Sequence, residues 1–177
     1  MSQKNLNHEK NNIISLFNQK KFDKISKISS KILDQFNEQI EIVKIVVISY
    51  LNQKNYFKAE QYLKNSLSKL NSAELNYFLG NTLKIQDKNL EAIDAYKKSI
   101  SLNSDYSEAY NNLANVQKKI GMLDEASSNY LNAINCKKDN IEAYYNLANL
   151  QKSQKNYEDA IKNYNKVIKI NSNFADA

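Results

Sequence analysis

An all-α, right-handed solenoid of antiparallel helix pairs is the fold this chain predicts, and three observations predict it. The first is repetition. Ser107-Glu108-Ala109-Tyr110-Asn111-Asn112-Leu113-Ala114-Asn115 returns 34 residues later as Ile141-Glu142-Ala143-Tyr144-Tyr145-Asn146-Leu147-Ala148-Asn149. One period earlier the same frame holds Ala73-Glu74-Leu75-Asn76-Tyr77-Phe78-Leu79-Gly80-Asn81. A fixed period of about 20 to 50 residues marks a stack of units, each burying its apolar face on its neighbours. The second is helical spacing of apolar residues within each period. The third is the absence of proline and the presence of only two glycines in 177 residues, too few turn formers for an all-β protein.

From the N-terminus, residues 1–5 are expected to be disordered. Residues 6–39 form a degenerate helix pair, in which Phe22-Asp23-Lys24-Ile25 parallels Tyr157-Glu158-Asp159-Ala160 with Ile25 in place of a small residue. Residues 40–72 keep Ala59 and Leu63 in phase. Three stronger units follow at 73–106, 107–140 and 141–174, and 175–177 begin a further, truncated one. Within 107–140, Tyr110, Leu113, Ala114 and Gln117 lie on one helix face at i, i+3, i+4 and i+7. A second helix carries Ala126, Tyr130, Ala133, Ile134 and Cys136. Between them Gly121 can supply a left-handed helix end, and Asp124 favours the next helix start.

Small residues share a phase where paired helices must touch: Gly80, Ala114 and Ala148 on the first helix, Ala92, Ala126 and Ala160 on the second. A methyl or less lets helix axes approach toward the short end of the usual 8–10 Å range. Tyr96, Tyr130 and Tyr164 share another phase, as do Tyr110 and Tyr144, and are expected to be core wedges rather than a platform for stacking bases.

This order, aromatic, Leu, Gly/Ala, then small Ala, then aromatic over 34 residues, resembles the tetratricopeptide repeat (TPR). The resemblance is strong over 73–106, 107–140 and 141–174. It is weaker over 40–72, which carries Val46-Val47 where Leu-Gly/Ala is usual. The family's frequent proline is replaced by Ser104, Lys138 and Ser172. The resemblance implies a TPR-like superhelix that binds proteins in a concave groove lined mainly by the first helix of each unit.

Composition argues for binding rather than chemistry. The net charge is +6, but all basic residues are lysines, interleaved with acids along helical surfaces. Without arginine, bidentate contacts to bases and phosphates are missing, so RNA binding is disfavoured. The polar start, Met1-Ser2-Gln3-Lys4, predicts no secretory signal, and no apolar run approaches the ~18 residues of a membrane span. A cytoplasmic setting is expected. His8 is the only histidine and Cys136 the only cysteine, so no histidine-based triad or metal site is expected. Cys136 shares the phase of Leu102 and Ile170 and is expected to be a buried filler. Two glycines cannot build a phosphate loop or nucleophile elbow. No catalytic residue, cofactor or metal is expected.

The candidate site is the groove face. Asn81, Asn115 and Asn149 share one phase, Asn112 and Asn146 another where Phe78 departs from it, and Lys84, Lys118 and Lys152 a third. Asparagine is a mediocre helix former, so its return on one face lacks a local structural rationale. Its amide offers a donor and an acceptor to a partner's backbone. The resemblance adds that asparagines at the phase of Asn112 and Asn146 grip extended peptides in the TPR arm of O-linked N-acetylglucosamine transferases. It also implies that a clamp for a C-terminal carboxylate would need lysine or arginine where Tyr77, Glu142 and Asn146 stand. The expected partner is another protein or an extended, acidic peptide segment. The alternative is the substrate-recruiting arm of a larger transferase. The last helix, with Ala160, Tyr164, Val167 and Ile168, is expected to lack a successor and to support end-to-end self-association.

Overall fold

The computed structural model describes residues 3–28 and 30–171. Eleven α-helices and one short 3-10 helix, with no strand, account for the secondary structure among these residues. Consecutive helices pack in pairs, as the apolar spacing requires. The expected start of another unit at 175–177 lies outside the described residues. Two compact units divide the chain, Met1–Lys88 and Asn89–Ala177.

The first unit contains α1 (Gln3–Asn18), α2 (Phe22–Ser26), α3 (Ser30–Leu33), α4 (Ile40–Asn52), α5 (Tyr56–Leu67) and α6 (Ala73–Ile85), with a 3-10 turn at Asp34–Phe36. Helix α1 begins at Gln3, so residues 3–5, expected to be disordered, make its first turn. The second helix of the degenerate pair is broken into short pieces between Phe22 and Phe36. Ile25 is fully buried where a small residue would let two helices close. Leu33 and Phe36 fold inward instead, and the Tyr62 hydroxyl donates to the Leu33 carbonyl at 2.9 Å. Val46 and Val47 of α4 are wholly buried, so the departure from Leu-Gly/Ala keeps the core apolar.

The second unit contains α7 (Asn89–Leu102), α8 (Ser107–Lys119), α9 (Leu123–Cys136), α10 (Ile141–Ser153) and α11 (Tyr157–Ile170). Helix α8 packs on α7 and α9, α10 packs on α9 and α11, and α8 and α10 also touch. Ala114 meets Ala126, Tyr130, Ala133 and Ile134 in one core cluster with Ala143, Leu147 and Leu150. Both small-residue phases are buried here, and Tyr96 and Tyr130 are buried wedges. A polar chain ties three helices together: Asn140 Nδ2 donates to Ser107 Oγ at 2.7 Å, and Ser107 Oγ to the Ala133 carbonyl at 2.7 Å. Asn140 also caps α10, accepting from the Ala143 N–H.

The turn inside each pair has a repeated backbone signature. Gly121 has φ +84, as its sequence position suggests, but Lys20, Lys54, Asp87 and Lys155 also adopt positive φ between 54 and 63. These five residues follow one another at 33- or 34-residue intervals. Helix α9 starts after Met122, not at Asp124, which lies in the first turn with Glu125 and opposes the positive helix end there.

Candidate functional site

Asn115, Asn146 and Asn149 come together with Asn111 on the adjoining helices α8 and α10. Within one helix, residues three or four apart are neighbours at about 5–6 Å. That relation joins Asn111 to Asn115 and Asn146 to Asn149. Between the helices, Asn146 Nδ2 donates to Asn111 Oδ1 at 3.2 Å. Asn115 and Asn149 therefore lie about one helical turn from this bond, on α8 and α10. Asn111 is almost fully buried, and the sequence reading did not include it.

These asparagines have a structural rationale that the sequence reading lacked. The Tyr130 hydroxyl donates to Asn115 Oδ1 at 2.6 Å, and the Tyr164 hydroxyl donates to Asn149 Oδ1 at 2.7 Å. Burial first, and the Glu142 charge second, push the Tyr130 hydroxyl far above its usual range. Burial and then Tyr145 raise that of Tyr164. Both phenols therefore stay protonated and act as donors. The signal was present in the sequence as an asparagine followed 15 residues later by a tyrosine, repeated in three successive units as Asn81 and Tyr96, Asn115 and Tyr130, and Asn149 and Tyr164.

The remaining residues of the expected site are positioned as follows. Asn112 and Lys118 are half-buried on α8, and Lys152 is exposed on α10. Asn81 and Lys84 are half-buried on α6, in the first unit. Glu74, which opens the same face of α6, is held by Lys44 of α4 at 2.6 Å. The side-chain hydrogen bond to Glu74 is the main reason that the Lys44 ammonium is raised above its ordinary range.

Cys136 is half-buried rather than buried, and its Sγ lies 3.5 Å from the Ser104 carbonyl. Burial, then the Asp105 charge, push its thiol up, which disfavours the thiolate a nucleophile needs. Among the described residues, no group of three His, Cys, Asp or Glu side chains could hold a metal ion. No described helix is long and apolar enough to cross a membrane.

Known proteins agree with this architecture. Family models described as tetratricopeptide repeat match residues 107–140 and 141–174, and one described as TPR repeat matches residues 80–121. No curated protein matches the chain by sequence. Among solved structures, MamA superposes with a TM-score of 0.82 at 25% identity, covering 92% of this chain and 96% of that one. MamA from Desulfovibrio magneticus RS-1 superposes at 0.83 and 14% identity, with 99% of each chain covered. YrrB, described as a TPR protein with an unusual peptide-binding site, superposes at 0.75 and 21% identity, covering 93% of this chain and 85% of that one. With its small-residue phases buried and three repeat models matched along residues 80–174, the chain belongs to the tetratricopeptide-repeat family.

Proposed function

We propose that this TPR protein is a noncatalytic interaction module that holds an extended segment of another protein against the first helices of its repeats. The observation that carries the reading is the set of hydrogen bonds that orients the amides of Asn115, Asn146 and Asn149 on α8 and α10. Asn112 stands on the same helix as Asn115. Asn81 and Lys84 offer the same residue types on α6. Lys118 and Lys152 favour acidic side chains along the bound segment. Each net hydrogen bond contributes about 0.5–1.5 kcal/mol, and ordering a flexible peptide offsets part of the sum, so a Kd of about micromolar or weaker is expected. The proposed setting is the cytoplasm.

The test is capture of a partner from the source cell followed by titration of the parent chain and an Asn112→Ala/Asn146→Ala variant, with circular dichroism as the control for folding. Binding should fall by about tenfold or more. Equal binding by a folded variant would place the partner elsewhere. Replacing Asn115 and Asn149 with alanine strips the Tyr130 and Tyr164 hydroxyls of their acceptors, as Asn146→Ala strips the buried Asn111 Oδ1 of a donor, so the folding control accompanies either variant.

A second surface supports the self-association expected from the sequence. Ile134 on α9 is 7% exposed because α10 covers it, whereas Ile168, one period later on α11, is 42% exposed. The composition of the bare face differs from the expectation. Ala160 and Val167 are buried, Tyr164 is half-buried, and Tyr157 and Ile161 are exposed with Ile168. An apolar strip at helical spacing on α11 supports association with a second copy of the chain.

A further inference from the structure

We propose that a cavity in the first unit, walled by α4, α5 and the broken segment after α2, binds a small zwitterion, its ammonium at Tyr50 and Asp34 and its anionic group at Lys58. The site shares no residue with the groove face described above.

The cavity holds about 760 Å³, within the ~300–1,000 Å³ range of small-molecule sites. It opens where the repeat departs from its own pattern. Tyr50 is the eleventh residue of α4 and Tyr62 the seventh of α5; Gln117 and Asn129 hold the same places in α8 and α9, and Gln151 and Asn163 in α10 and α11. The later pairs are closed. Asn129 Nδ2 donates to Gln117 Oε1 at 2.7 Å, and Asn163 Nδ2 to Gln151 Oε1 at 2.8 Å. In the first unit the Tyr62 hydroxyl donates to the Leu33 carbonyl instead. The Tyr50 hydroxyl makes no hydrogen bond among the described residues, although only 6% of the residue is exposed. It is not sealed from solvent, so it opens onto the cavity that Tyr50 lines. A hydroxyl held this deep without a partner weakens the fold, and a ligand that bonds to it recovers the loss.

The charges along the cavity are sorted. Lys58, Tyr62 and Asn65 line it from one face of α5, at i, i+4 and i+7. A rise of 1.5 Å per residue puts about 10 Å between the two ends of that face. At the Asn65 end, Asn65 Nδ2 donates to Asp34 Oδ1 at 3.2 Å, and Asn37 Nδ2 reaches the same oxygen at 3.4 Å. Asp34 Oδ2 accepts nothing among the described residues. Both tyrosine hydroxyls belong to this end: burial first, and the Asp34 charge second, raise each of them, and Tyr50 adds to the shift of Tyr62. Oxygens without donors beside tyrosine rings suit an ammonium, which carries three N–H donors and is drawn to aromatic faces. At the other end the Lys58 ammonium has no partner among the described residues. Ser26 Oγ donates to Gln53 Oε1 at 2.9 Å, which brings the neighbouring Lys27 toward the turn before α5. Lys27 is held only by Asp23, at 3.9 Å. A simple cation would meet these lysines and a simple anion would meet Asp34. A ligand with both charges satisfies each end.

The probe is 6-aminohexanoate; pentylamine and hexanoate each keep one of its charged ends. In amide NMR spectra of the parent chain, 6-aminohexanoate should shift residues that line the cavity with a Kd of about millimolar, as befits so few atoms. Each singly charged analogue should bind about tenfold or more weakly. Tyr50→Phe removes a hydroxyl that no internal group uses, so its thermal melt should not fall. It should nonetheless bind the probe about fivefold more weakly. Asp34→Asn keeps an acceptor for Asn65 and should weaken 6-aminohexanoate but not hexanoate. Lys58→Gln should weaken 6-aminohexanoate but not pentylamine. Asn112→Ala/Asn146→Ala should bind the probe as the parent does, so that this site and the groove are tested separately.

Absence of shifts at about ten times the expected Kd overturns the proposal. Equal binding of all three compounds does the same, and that comparison uses the parent chain, so it holds even where a variant does not fold. A folded Tyr50→Phe chain that binds 6-aminohexanoate within about twofold of the parent removes Tyr50 from the site and the proposal with it.

Discussion

The carboxylate of Glu60 on α5 accepts from the Lys88 ammonium at 2.8 Å, at the end of the turn that follows α6. Lys64 reaches the other oxygen at 2.7 Å, and Gln86 Nε2 lies 2.8 Å from the oxygen that Lys88 holds. Burial alone would raise this carboxyl, but the hydrogen bonds from Lys64, Lys88 and Gln86 outweigh it and hold the group at about 2, against an ordinary 4.5. A carboxylate lowered in the folded state contributes stability above its unfolded pKa and loses it as pH falls through the folded value. The contribution of Glu60 should therefore be complete above about pH 4.5 and fade toward pH 2. Glu60→Gln should cost about 1.5–3 kcal/mol at pH 7, the range for hydrogen bonds to charged groups. It should also flatten the acid limb of stability in urea melts run between pH 2 and 7.

The positive-φ turns make opposite predictions at two positions. A residue with a Cβ in the left-handed region is strained by about 1–2 kcal/mol, whereas glycine is not. Lys155→Gly should stabilise the chain by about 0.5–1 kcal/mol after the extra entropy lost by glycine is subtracted. Gly121→Ala should destabilise it by about 1 kcal/mol although nothing lies within 4 Å of the added methyl. Thermal melts of the two variants should move in opposite directions.

Ala126 is fully buried against Ala114 and Tyr130. Ala126→Leu should overpack that contact and cost about 1–3 kcal/mol. Lys152→Ala, on the exposed side of α10, should stay within about 0.5 kcal/mol. Equal denaturant midpoints for the two would contradict the helix-pair packing.

Association through α11 should depend on concentration and on Ile161 and Ile168. Ile161→Lys/Ile168→Lys leaves the buried Ala160 and Val167 untouched, so the helix should remain docked on α10. Light scattering should show the parent associating at high concentration and the double variant remaining monomeric. A parent chain that is monomeric throughout would remove the proposed second surface.

Helix pairing was legible because burial repeats locally. Leu113, Ala114, Ala126 and Tyr130 show which face each helix hides, and a side chain's direction along a helix follows from its position alone. Tyr96 and Tyr130 accordingly lie where the apolar phase put them. The N-terminal stretch was harder, because Ile25, Leu33 and Phe36 are all apolar and their order does not show that three short helices would carry them.

The repeat period, its helical spacing and its small-residue phases determined an all-α stack of paired helices from the sequence alone, because each records which atoms must leave water. Only the tertiary structure decided what the asparagines do. A hydrogen bond depends on which rotamer meets which partner, and the partners of Asn115 and Asn149 stand on the following helix while that of Asn146 stands one repeat away. The same limit applies to Glu60: Lys64 is its neighbour one turn along α5, but Lys88 and Gln86 reach the carboxylate only through the packing of α5 and α6. Hydrophobic burial is read by position, whereas polar pairing is settled by geometry between elements.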